Sequence, residues 1–157
     1  MKIREILNIV LINLIVFFAL ISIHELSHTA SGKLFGCVHE KSILIDSNLI
    51  GPYTEMYCSE TGYLLTLISS LIITSSFSFL FLLLKSSSRN LFPISLGLSI
   101  VFSSLDISIA TGIQSLVYPT VSIGFLVTSI GEYLIASSYV KDNFSLDLLD
   151  VERETFE

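Results

Sequence analysis

The residues of this chain best suited to chemistry are two histidines and a glutamate in the segment His24-Glu25-Leu26-Ser27-His28. On a helix, side chains four positions apart project from the same face about one turn apart, so the two imidazoles can bind one Zn²⁺ together. Glu25 is not needed as a ligand and is free to act as a general base. The spacing therefore predicts zinc-dependent hydrolysis, with His24 and His28 as two of the metal ligands.

The sequence before this motif argues against a solvated surface helix. Residues 6–23 contain no charged side chain, so the motif lies at or near membrane depth. An ionisable group at the centre of a membrane helix costs roughly 2.5–3.5 kcal/mol on insertion scales. Three such groups together favour a metal site over the alternative, which is a polar cluster without a metal.

The composition is that of an integral membrane protein. Of the 157 residues, 52% are hydrophobic and 14% are charged, and the mean hydropathy is +0.78. A run of about 18 or more apolar residues can span the bilayer as a helix. Four stretches qualify, at about 6–31, 63–84, 91–113 and 120–140. We therefore predict an all-α, multi-pass membrane domain at residues 1–140, whose first span is too long for a cleaved signal peptide.

Two segments outside these spans differ from them in composition. The loop at 37–60 has turn-forming residues between short apolar stretches, which predicts a short β-hairpin or an irregular flap after the first span. Cys37 and Cys58 bracket this loop and can either form a disulfide or stay as two buried thiols. Residues 141–157 contain six of the 14 acidic residues, which predicts an acidic soluble tail.

The positive charges favour one orientation in the membrane. Four spans would separate two groups of basic residues, which are Lys2, Arg4, Lys85, Arg89, Lys141 and Arg153 on one side and Lys33 and Lys41 on the other. The positive-inside rule makes the first side cytoplasmic, so both termini are expected in the cytoplasm. We expect the membrane to be the cell membrane. The net charge of −6 argues against a nucleic-acid partner.

A third metal ligand must come from another part of the chain. Asp106 is the one charged residue in the predicted span 91–113. At about 1.5 Å per residue, His24 and His28 lie about 27–33 Å along their span and Asp106 about 22 Å along its own, measured from the same side of the membrane. Their depths agree, so Asp106 is the candidate third ligand. The alternative is an aspartate that is hydrogen-bonded to neighbouring serines.

The other two spans carry weaker signals. The serine pairs of the second span suit close helix packing, and we assign no chemistry to that span. Glu132 in the fourth span lies far from the motif by the same count of depth. We expect it at the cytoplasmic-side interface or paired with an amide.

Residues 23–36 resemble the site-two protease family of intramembrane zinc metalloproteases. The resemblance rests on His24-Glu25-x-x-His28 followed by Gly32 and Gly36 in an apolar setting. It implies a three-helix catalytic core, a β-hairpin after the first core helix, and an aspartate on the third core helix as a ligand, here Asp106. Members of that family usually place the catalytic end towards the cytoplasm, whereas the charge count places it on the opposite side in this chain.

The motif and the resemblance together predict an intramembrane zinc metalloprotease. One Zn²⁺ per chain would be held by His24, His28 and Asp106, with Glu25 as the general base. The expected substrate is a membrane protein or peptide in or next to the lipid bilayer. The alternative is a membrane protein that binds metal or holds a substrate without cleaving it.

Overall fold

The computed structural model describes residues 3–43, 53–83 and 89–154. Within these ranges the chain forms five α-helices and one two-stranded antiparallel sheet. In chain order the elements are α1 (Ile3–Leu34), β1 (Val38–Ile43), β2 (Tyr53–Tyr57), α2 (Glu60–Phe79), α3 (Leu91–Phe102), α4 (Ser104–Thr111) and α5 (Val117–Glu154), with 3₁₀ turns at Leu80–Leu83 and Gln114–Leu116.

Three helical segments are long and apolar enough to cross a membrane, namely Ile6–Leu34, Glu60–Leu83 and Gln114–Ser138. Helices α3 and α4 meet the same criterion only together, and they are bent by 43° relative to each other. The predicted third span at 91–113 is therefore a broken helix, because the backbone at Ser103 (φ −80°, ψ 0°) leaves the helical conformation. The length and composition of these helices are consistent with a membrane protein.

The end of α1 follows from Gly36. This glycine has φ of 77°, a left-handed conformation that glycine adopts without steric cost. The amide of Cys37 donates to the carbonyl of Gly32 at 2.8 Å and the amide of Gly36 to that of Lys33 at 3.3 Å, the bond pattern of a Schellman motif. The chain therefore turns sharply at Gly36, and β1 begins beside the last turn of α1.

The loop after α1 contains the predicted hairpin. Strand β1 pairs antiparallel with β2, from Val38 opposite Tyr57 to Ile43 opposite Tyr53, with an irregularity between His39 and Lys41. A disulfide joins Cys37 to Cys58 across the base of the hairpin. The predicted turn residues 44–52 lie outside the described residues. The disulfide fixes the start of β1 and the end of β2 close to each other.

Helix α2 packs against α1 and α3. Along α2 and α3 lies a set of buried small hydroxyl side chains, which we call the hydroxyl stripe. Its members are fully buried and spaced four residues apart on each helix, and they are Thr66, Ser70, Thr74 and Ser78 on α2 and Ser95, Ser99 and Ser103 on or just after α3. Most hydroxyls bond to carbonyls of their own helix, and the hydroxyl of Ser95 also donates to that of Ser78 at 2.8 Å. Small side chains allow close approach of helix backbones in a membrane.

Helix α5 approaches α3 through glycines. A Cβ atom on Gly124 would lie 2.7 Å from the carbonyl oxygen of Gly97 and 2.6 Å from a methyl group of Val101. A Cβ atom on Gly131 would lie 2.8 Å from the backbone nitrogen of Ile94. These two helices are in backbone contact, which glycine alone permits.

The acidic segment at the C-terminus continues the last helix. Helix α5 has 38 residues, so at about 1.5 Å per residue it is about 57 Å long. The hydrocarbon core of a bilayer is about 30 Å thick. Residues 141–154, which we predicted as a soluble tail, are thus helical and extend past the apolar part of α5.

We expect Gly124→Ala to destabilise the fold. Alanine improves helix propensity by about 1 kcal/mol, but the added methyl meets backbone atoms that cannot move aside, and overpacking of this kind costs about 1–3 kcal/mol. The thermal unfolding midpoint of the detergent-solubilised protein should fall by several degrees. Ser129→Ala, at an exposed position of the same helix, should leave the midpoint unchanged; a similar midpoint in both variants would contradict the close contact.

Candidate metal centre

Helix α1 presents the motif on its buried face. Spaced by four residues, His24 and His28 stand one turn apart, with their ring centroids 4.8 Å from each other. Only 5% of His24, 5% of Glu25 and 7% of His28 is exposed. The ionisable side chains of the motif therefore face the protein interior, whereas Leu26 between them is 65% exposed.

Asp106 lies in the first turn of α4, directly after the break in the third span. Its Oδ2 atom is 3.3 Å from Nε2 of His24 and 3.1 Å from Nε2 of His28. The two Nε2 atoms are 3.3 Å apart. The structure thus brings together the three residues that the sequence proposed as ligands, from segments about 80 positions apart.

These three atoms form a triangle that fits a tetrahedral metal ion. Ligand bonds of about 2.0–2.1 Å at tetrahedral angles place ligand atoms about 3.3 Å apart. The observed separations of 3.1–3.3 Å match this value on all three sides. His24, His28 and Asp106 could therefore hold a metal ion and leave its fourth position free.

Helix α2 fixes two of the three ligands through the hydroxyl stripe. The hydroxyl oxygen of Ser70 lies 2.9 Å from Oδ2 of Asp106 and 2.8 Å from the carbonyl oxygen of Leu67, so its single proton is shared between these two acceptors. The hydroxyl of Thr74 lies 3.5 Å from Nδ1 of His24 and donates its proton to the carbonyl of Ser70. With its proton on that carbonyl, the Thr74 oxygen would accept from Nδ1–H of His24, which is the tautomer that leaves Nε2 free for a metal.

Glu25 is held beside the cluster by the hairpin. The hydroxyl of Thr54 on β2 donates to Oε2 of Glu25 at 2.7 Å. Glu25 belongs to neither the triangle of ligand atoms nor an ion pair with them. Its second carboxylate oxygen is therefore available to another group in the site.

A cavity of about 410 Å³ opens over the four residues. His24, Glu25, His28 and Asp106 line it together with mostly apolar side chains from α1, β2, α2, α3 and α4. These are Ile21, Thr54, Met56, Tyr63, Leu67, Val101, Phe102, Leu105 and Ile109. The cavity is large enough for a segment of peptide and presents a polar corner to it.

Sequence reasoning missed the residues that support the ligands. We assigned no chemistry to the second span, although Ser70 and Thr74 contact the ligands from it. The available signal was the spacing of four from Thr66 to Ser78, which places hydroxyls on a single helix face. Thr54 gave no sequence signal, because its contact with Glu25 depends on how the hairpin folds.

Glu132 lies apart from the metal centre. Its Oε1 atom accepts a hydrogen bond from the side-chain amide of Asn13 on α1. Of the two expectations for Glu132, the structure contains the pairing with an amide. The pair links α5 to α1 across a groove that is otherwise lined mostly by apolar side chains.

Comparison of the chain with protein-family models, curated proteins and solved structures finds no match. The resemblance to site-two proteases therefore stays a prediction from the sequence, and it is strongest over residues 23–36.

We expect one metal ion per chain, and its loss in His28→Ala and Asp106→Ala. Ser70→Ala should retain the site but lower Zn²⁺ affinity about 10- to 100-fold, because a hydrogen bond that orients a ligand is lost. Competition with a chromogenic chelator measures this affinity. Ser78→Ala removes a hydroxyl of the same stripe two turns away and should bind Zn²⁺ like the wild type; equal affinity in the Ser70 and Ser78 variants would contradict the role of Ser70.

Proposed function

We propose that this protein is an intramembrane zinc metalloprotease that hydrolyses peptide bonds in or next to the membrane. The observation that carries the proposal is the position of Glu25. A site that only binds metal needs the three ligands, whereas here a fourth, non-ligand carboxylate is buried beside them and lines the same cavity. The pattern is that of a metal site with an adjacent general base.

The residues divide the chemistry between them. His24, His28 and Asp106 would hold the ion, and a bound Zn²⁺ supplies Lewis acidity that lowers the pKa of water to about 7 and polarises a carbonyl. Glu25 would accept a proton from the attacking water with its free oxygen and then deliver it to the leaving amine. Ser70 and Thr74 would hold the side chains of Asp106 and His24 in position.

The surroundings of the cavity support a peptide substrate. Its apolar lining suits the side chains of a membrane segment. Strands β1 and β2 form a two-stranded sheet, so within the described residues each has one edge without a strand partner. An extended substrate segment could add to such an edge, which would expose its backbone to the site.

The alternative is a protein that binds metal or holds a substrate without cleaving it. Binding of a metal requires only the three ligands, whereas Glu25 is an additional carboxylate that is 5% exposed, hydrogen-bonded by Thr54 and placed next to them. A buried carboxylate costs free energy unless it is partnered. The placement of Glu25 therefore favours the enzyme.

Glu25→Gln should retain one Zn²⁺ per chain and abolish cleavage, because the amide cannot accept a proton. Cleavage of fluorescein-labelled casein by detergent-purified protein measures the activity. Glu55→Gln, at an exposed position of β2, is the matched control and should cleave at the wild-type rate. Equal cleavage rates in the wild type and Glu25→Gln would contradict the proposed protease function.

We further propose that the chain crosses the cell membrane four times, with α3 and α4 together forming the third crossing and both termini in the cytoplasm. The metal centre would then lie towards the non-cytoplasmic side. The charge count of the sequence supports this orientation. The Cys37–Cys58 disulfide supports it independently, since disulfides persist in oxidising compartments.

This orientation predicts opposite behaviour of two reporters at the C-terminus. Green fluorescent protein fused there should fluoresce, and alkaline phosphatase, which needs an oxidising compartment, should be inactive. Cys37 and Cys58 should also react with a maleimide only after reduction. An active C-terminal phosphatase fusion would contradict the proposed orientation.

A further inference from the structure

We propose that Thr54 is a positioning residue for the general base, holding the Glu25 carboxylate in its productive orientation from the hairpin. This inference rests on the proposed function. Its starting point is the 2.7 Å hydrogen bond from the Thr54 hydroxyl to Oε2 of Glu25, a contact between residues 29 positions apart. Thr54 contacts none of the three ligands by hydrogen bond, so its effect on chemistry passes through Glu25.

The bond selects between the two carboxylate oxygens. A glutamate side chain has three rotatable bonds, and in an apolar cavity few groups limit their rotation. Donation by Thr54 fixes Oε2 and leaves Oε1 as the atom that can meet water. Thr54 thus determines which oxygen faces the reacting atoms.

The hydroxyl groups of Thr54, Ser42 and Thr29 form a ring of contacts that begins and ends at Glu25. Its oxygen lies 3.2 Å from the hydroxyl of Ser42 on β1, which lies 2.9 Å from that of Thr29. Thr29 is one turn after Glu25 on α1 and bonds to the Glu25 carbonyl at 3.2 Å. The ring therefore fastens both strands to the helical turn that carries the base.

The hairpin backbone sets the position of this hydroxyl. Ser42 and Thr54 are directly paired across the sheet, and the Cys37–Cys58 disulfide closes the base of the hairpin. Along β2, Thr54 and Met56 line the cavity while the alternate residue Glu55 is exposed, as the period of two in a strand requires. One face of β2 therefore covers the site and carries the positioning hydroxyl.

The test compares two substitutions at this position. Thr54→Val keeps the shape of the side chain and removes the hydroxyl, whereas Thr54→Ser keeps the hydroxyl and removes a methyl group. With labelled casein, Thr54→Val should lower kcat about 10- to 100-fold, the effect typical of losing an orienting partner. KM and the zinc content should stay at wild-type values, and Thr54→Ser should restore most of kcat. Thr111→Val removes an exposed hydroxyl that bonds to backbone atoms of its own helix and the next turn, and should change nothing.

Two results would overturn the inference while leaving the proposed function intact. One is wild-type kcat in Thr54→Val, and the other is an equal loss in the valine and serine variants, which would indicate packing rather than the hydroxyl. If the wild type and Glu25→Gln cleave alike, the proposed function fails, and the catalytic role of Thr54 fails with it.

The contact has a second readout that needs no turnover. The infrared difference between the wild type and Glu25→Gln isolates the carboxylate stretching bands of Glu25. Thr54→Val should shift these bands, and Thr111→Val should not. Unchanged bands in Thr54→Val would overturn the inference.

Discussion

Buried ionisable groups need partners, and this constraint organises the molecule. Two imidazoles and two carboxylates are buried among helices that expose many large hydrophobic side chains. A buried charge without a partner costs several kcal/mol. In this structure the partners are the groups themselves and nearby hydroxyls: Asp106 lies 3.3 Å from His24 and 3.1 Å from His28, and Glu25 accepts a hydrogen bond from Thr54.

The packing of the helices follows from the same environment. Lipid is as apolar as a protein core, so large hydrophobic side chains gain little by turning inward. The fully or nearly buried hydrophobic residues of the described segments are accordingly few, while the hydroxyl stripe and the glycines at the α3–α5 contact bring backbones together. Two members of the stripe, Ser70 and Thr74, also contact candidate metal ligands, which are Asp106 and His24. Close packing and ligand orientation are therefore functions of one helix face.

Four elements contribute to the site, and each positions or orients different side chains. Helix α1 sets the spacing of His24 and His28, and the break before α4 directs Asp106 towards them. Helix α2 orients the ligands. The hairpin, closed by a disulfide, covers the cavity and reaches Glu25 through Thr54. The hairpin reaches the Glu25 side chain, whereas Asp106 and His24 are contacted from α2, so a change in the hairpin would act on Glu25 first.

The helix spacing, the turn at Gly36 and the apolar spans follow from the sequence alone. The spacing of His24 and His28 requires only a helix, Gly36 requires only a left-handed turn, and apolar length alone identified three of the four predicted spans as continuous helices. Asp106 could be proposed because an isolated charge in an apolar span must find a partner. Only the tertiary structure showed the contacts of Ser70 and Thr74 and the bond from Thr54 to Glu25, because these contacts join residues that are distant in sequence. No local pattern specifies such contacts, because their geometry depends on how helices and hairpin pack together.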